Sequence, residues 1–238
     1  MNATIALITL RAMLGRRRAL LLFALPLLLL MLAAALRITG NADLEVSASV
    51  LQGFALATVL PLLALIAGTG VIGPEIDDGQ IMYILTKPIR RHVVVVTKLV
   101  VAIALVVVFA VMPTLMAGLV LTGMTADLAV AFTAGTLVAG VAYGAVFVAL
   151  AVASRNAVTI GLLYALVWES LLGNFAPGAR SVSIQQWGLS VADAITSTSA
   201  VEASVRTPAA VLLLVCVTVL ATVLAVMRLR TLSVAAAE

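Results

Sequence analysis

Residues 93–121 read VVVVTKLVVAIALVVVFAVMPTLMAGLVL, 29 residues with a single charge, Lys98, near one end. A membrane-crossing α-helix needs about 20 mostly apolar residues. In hydrocarbon the backbone must satisfy its own N–H and C=O groups, and a helix does so within one segment. The stretch therefore reads as a spanning helix, long enough to tilt. Pro113 is expected to kink it, because proline lacks the N–H and crowds the carbonyl four residues earlier.

Working outward, five further stretches have the same character: 19–36, 50–72, 128–153, 157–175 and 208–227. The whole composition agrees. Hydrophobic residues make up 64% and charged residues 10% of 238 residues, with a mean hydropathy of +1.26. Soluble domains average roughly 45–50% apolar and about 25% charged, so most of this chain takes hydrocarbon as its solvent. No polar stretch is long enough for a second domain. The expected fold is an all-α integral membrane protein, one transmembrane domain over residues 1–238 with six spans. The net charge of +4 does not mark a nucleic-acid binder, because no basic face is spread over a soluble fold. Cys216 lies in an apolar run and reads as a small packing residue.

Lysine and arginine set the orientation. With the N-terminus in the cytoplasm, Arg11, Arg16, Arg17, Arg18, Lys87, Arg90, Arg91, Lys98, Arg155, Arg228 and Arg230 lie inside, and Arg37, Arg180 and Arg206 outside. That bias is the one the positive-inside rule demands, and six crossings return the C-terminus to the cytoplasm. Arg16–Arg18, the apolar run and Ala33-Ala34-Ala35 also have the layout of a cleavable signal. The run is nearer spanning length, however, and residues 1–15 precede it. Within 1–18, Ile5, Ile8 and Met13 with Arg11 read as an amphipathic helix lying in the inner interface.

The connections differ in what they carry. Ser154-Arg155-Asn156 is a minimal turn, so the fourth and fifth spans form a tight hairpin. The external segment 176–207 holds Ile184, Trp187, Val191 and Ile195 at spacings of three and four. That stripe predicts a short helix, expected to lie on the outer surface.

The cytoplasmic loop 73–92 is the most informative. Its residues 73–87, GPEIDDGQIMYILTK, have the grammar of one short helix. Pro74 suits a first helical position. Glu75, Asp77 and Asp78 favour the N-terminal end of the dipole and Lys87 the other end, and Pro88 stops the helix. Glu75 and Gly79 stand four apart. Ile84-Leu85-Thr86-Lys87-Pro88 follows, with Arg91 three residues after the proline and Lys98 seven after Arg91. This pattern resembles the one that ABC-2 type exporter permeases carry after their second span: E-x-x-x-G, then L-L-T-x-P-x-x-R, then a Lys opening the third span. The basic N-terminal helix, the six spans and the polar external segment extend the resemblance over nearly the whole chain.

The resemblance implies a transmembrane subunit of an ATP-binding-cassette exporter in a prokaryotic plasma (inner) membrane. Its loop acts as a coupling helix seated on a separate ATPase. The implied coupling residues are Glu75, Asp78, Gly79, Leu85, Pro88, Arg91 and Lys98, with Glu75 and Arg91 the first choices for the contact. The chain carries no G-x-x-x-x-G-K-[ST] phosphate loop. It is therefore expected to bind no cofactor itself, ATP and Mg²⁺ belonging to the ATPase partner. The other partners are a second permease copy or a similar chain and the lipid bilayer. Apolar spans suit a hydrophobic or amphipathic substrate.

Bond chemistry is not expected. The one histidine, His92, lies in the cytoplasmic loop, far from any nucleophile at membrane depth. No G-x-S-x-G occurs, and the spans offer no paired metal ligands. Glu169 is the one acid inside an apolar run, and a carboxylate there must face protein or water. It reads either as a contact in the translocation path or as a structural hydrogen-bonding group. Gly140 and Gly144 form a small-x-x-x-small step that lets helices approach, for packing within the chain or for a dimer contact. Two other function classes fit the same topology: a stand-alone secondary transporter or channel using Glu169, and a non-transporting membrane anchor of a complex.

Overall fold

The Ala- and Gly-rich run at 126–153 is the axis on which the other helices pack. A computed structural model of the chain describes residues 3–15, 19–73, 75, 91–123, 126–172 and 181–234. Every regular element among them is a helix. These are α1 (Ala3–Leu14), α2 (Ala19–Ile38), α3 (Leu44–Gly70), α4 (Arg91–Leu121) and α5 (Ala126–Ala153). Then come α6 (Ala157–Leu163, continued through Tyr164–Leu172 in π-helical register), α7 (Ile184–Ile195) and α8 (Thr207–Val234). Five of them, α2, α3, α4, α5 and α8, are long and apolar enough to cross a membrane, and the apolar part of α6, Ala157–Glu169, is shorter. The expected coupling helix, with Asp78, Gly79, Leu85 and Pro88, lies outside the described residues.

Small side chains explain why α5 is central. Ala139, Ala142, Tyr143 and Phe147 are wholly buried, and α3, α4, α6, α7 and α8 all touch the helix. Just beyond α4, Gly123 takes φ +65°, a left-handed conformation that costs glycine little. The α5–α6 turn is the short one expected at 154–156, closed by Asn156 N–H donating to Ser154 Oγ at 3.2 Å.

Burial separates core helices from peripheral ones. In α3 and α5 61% of the apolar window is buried, against 22% in α2 and α8. Leu212, Val215, Val219 and Leu220 of α8 point outward. Cys216 is on this exposed face, not packed in the interior as expected. An apolar side chain in a spanning helix is as well satisfied by lipid tails as by protein, so its run does not tell which it faces.

Two of the three π-helical stretches have a local cause. Leu51–Val59 directly precedes the turn containing Pro61, and Val107–Val111 the turn containing Pro113. A proline cannot donate to the carbonyl four residues back and pushes it away. Widening the preceding turn absorbs that mismatch. The kink expected at Pro113 thus takes the form of a register change just before it.

Helix α7 has the predicted extent but not the predicted place. Residues 184–190 and Ala192 are buried, so the helix is sunk into the bundle against α5 and α8. Two side chains that could have faced water are instead partnered within the chain. Ser190 Oγ donates to Val205 O at 2.8 Å and Trp187 Nε1 to Ser181 O at 2.9 Å. Gly188 permits the approach: a Cβ there would lie 2.8 Å from Ala139 Cβ and 3.0 Å from Gly135 O.

Candidate functional site

At the end of the bundle where α3 closes and α4 opens, a charged residue is buried. Lys98 lies on the inner stripe of α4 among Val94, Val95, Val101, Ala102 and Leu105, and it is 0% exposed. The spacing of those residues makes one helical face, and Lys98 sits in its middle. An ammonium group buried there must be paired. Its Nζ donates to Val71 O at 2.6 Å and to Glu75 Oε1 at 2.6 Å. Val71 lies one residue beyond α3, where helix-end carbonyls lack intrahelical donors and favour a cation. Glu75, held in a turn by its N–H bond to Ile72 O at 3.2 Å, completes the ion pair with a side chain 21% exposed. Sequence reading names both residues, but their pairing across 23 positions is a tertiary fact.

The other end of the loop meets α8. Arg91 Nη1 donates to Leu229 O at 3.4 Å. Leu229 is buried with Ile72, Val95 and Ala225 in a small apolar cluster that joins α3, α4 and α8 at this end. Of the seven residues expected to couple, Glu75 and Lys98 are thus paired, Arg91 reaches α8 instead, and the other four lie outside the described residues. Nearby, Met13 of α1 packs against Gly70 while Leu7 and Ile8 are exposed.

Glu169 occupies the opposite end and is 0% exposed. Its Oε1 accepts from Tyr164 Oη at 2.7 Å and from Ile184 N–H at 3.2 Å; its Oε2 accepts from Ser183 Oγ at 2.5 Å and from Gln185 N–H at 3.3 Å. Ile184 and Gln185 are the first residues of α7, so the carboxylate closes the N-terminus of that helix. Free N–H groups and the dipole both favour an anion there. Asp127 of α5 holds the far end of α7, accepting from Thr196 Oγ1 at 3.1 Å and from Ser197 N–H and Oγ at 3.1 and 2.9 Å. Four donors on one carboxylate support the structural reading of Glu169.

The glycine step is turned inward. A Cβ at Gly140 would lie 2.7 Å from Val106 Cγ1 and 3.3 Å from Leu60 Cδ1, whereas one at Gly144 would meet Ile103 at 3.7 Å. Both positions face α4 of this chain. Among the described residues no cluster of histidine, cysteine and carboxylate side chains has the makings of a metal site.

The family model for ABC-2 family transporter proteins matches residues 14–176, a span containing α2 through α6 and the whole 73–92 loop. The chain belongs to the ABC-2 transporter family. Members of this family are membrane transport permeases, typically non-enzymatic membrane subunits. Comparison with curated proteins finds no match. In this ABC-2 chain, the buried ion pair sits at the point where the matched loop leaves the membrane helices.

Proposed function

We propose that this chain is the permease subunit of an ATP-driven exporter. It crosses a prokaryotic plasma membrane six times, with α6 as the fifth and shortest crossing and both termini in the cytoplasm. A second copy, or a similar chain, completes the translocation path, and a separate ATPase binds ATP and Mg²⁺. The 73–92 loop seats on that ATPase, and movement of the loop shifts α3 and α4. Such a contact transmits force only if it differs between ATPase states. The apolar spans suit a hydrophobic or amphipathic substrate.

The observation that carries this reading is the family match across the loop. Affinity purification from the native membrane in mild detergent tests it. A phosphate-loop ATPase should co-purify in stoichiometric amount. A chain that purifies alone, and still moves solute when reconstituted alone, contradicts it.

A further inference from the structure

We infer that Glu75 and Lys98 form an internal strut that fixes the start of the loop to α4, so that Glu75 acts within this chain and not as a contact on the ATPase. This inference rests on the exporter reading above. Glu75 is the first residue of the 73–92 loop with a charged side chain, and it is directed at a lysine with no solvent exposure, 2.6 Å away. The same ammonium holds Val71 O at 2.6 Å. Three points are therefore tied by one group: the end of α3, the start of the loop and the buried face of α4.

The strut has a mechanical consequence. Lys98 is seven residues into α4, two turns from Arg91, and packed on all sides. A lysine stem is flexible in water but not when enclosed by close-packed neighbours. A displacement of the loop then carries α4 with it at a point inside the bundle. Arg91, bonded to Leu229 O, links the loop's other end to α8. Lys98 and Glu75 are positioning residues on this account, acting through the helices they hold.

The test uses the complex as purified with its ATPase. Cys216 is replaced by serine, and spin labels are placed on the exposed positions 108 of α4 and 212 of α8. The distance between labels is measured without nucleotide and with ATP plus vanadate. The unaltered pair should give a nucleotide-dependent shift. The double variant E75Q/K98M removes the strut without leaving an orphan charge; it should keep the ATPase in stoichiometric amount and lose the shift. If the double variant does not accumulate, E75A is read the same way, since Lys98 keeps its bond to Val71 O. Loss of the ATPase in either variant overturns the inference, because Glu75 then contacts the partner. A retained shift overturns it too, because the pair is then only a fold element. Failure of the exporter reading is seen separately, as absence of any ATPase with the unaltered chain.

Discussion

Replacing Glu169 by Gln separates a structural carboxylate from a working one. In the native chain two oxygens accept from Tyr164, Ser183, Ile184 and Gln185. A glutamine keeps one acceptor oxygen. Its bonds to Tyr164 and Ile184 become neutral, each weaker by about 1 kcal/mol. Its amide nitrogen faces the Gln185 N–H, a donor against a donor, and an orphaned buried N–H costs about 1–3 kcal/mol. The gross loss is then about 4 kcal/mol. A neutral amide is easier to bury than a carboxylate, which offsets part of it, and the net effect is about 2 kcal/mol. In a chain of this size, 1 kcal/mol moves the melting temperature by about 2–4 °C, so E169Q should melt about 4–8 °C lower. E169A, which leaves all four donors without their acceptor, should fall further. The assay is thermal unfolding of the detergent-solubilised chain with amide exchange read over α7. Melting within 1 °C of the native chain, with unchanged exchange in α7, would refute the reasoning; if transport were also lost, Glu169 would belong to the translocation path.

Other substitutions follow from the same geometry. G188A places a Cβ 2.8 Å from Ala139 Cβ and should destabilise by about 1–3 kcal/mol through overpacking. G144A meets ordinary contacts at 3.7 and 4.0 Å and should be neutral or stabilising by up to about 1 kcal/mol, because alanine is the better helix former; melting of the two variants side by side checks both. K98M strands Glu75 and should cost about 3–5 kcal/mol, most of it recovered in E75Q/K98M, a double-mutant cycle readable by thermal unfolding. D127N should speed amide exchange at 196 and 197, where its three bonds end, without shifting global melting. Cys216, exposed on α8, should react in membranes with a lipophilic maleimide far faster than with a sulfonated one.

Much of the fold was legible because hydrocarbon imposes a coarse rule: a long apolar run must be a helix. That rule located α2, α5 and the α4 stretch 93–121 to within two residues of their observed ends. Helical spacing gave α7, whose apolar residues at 184, 187, 191 and 195 mark one helix face. It did not give depth. Ser190 looks like a surface residue until Val205 O is placed beside it, and the N-terminus of α7 looks open until Glu169 accepts from the Ile184 and Gln185 N–H groups; those partners come from distant segments. Cys216 shows the same blindness from the other side, since apolar character cannot distinguish lipid from protein. At the candidate site the motif named Glu75, Arg91 and Lys98 as residue types at fixed spacing. That Lys98 faces inward is not legible in the run itself, because the outward positions Val96, Val100 and Val108 are as apolar as the inward ones at 94, 95, 101, 102 and 105. That Glu75 is its partner depends on how α3 and α4 pack, which no local pattern encodes.

The claim on which the account turns is that the 73–92 loop seats on a separate ATPase. A photoreactive amino acid at position 85, activated in intact membranes, tests it most directly. The account predicts a covalent adduct with a phosphate-loop ATPase from position 85 and none from position 212 on the outward face of α8. An adduct equally strong from both positions, or none from position 85 in membranes where the chain is active, would contradict it.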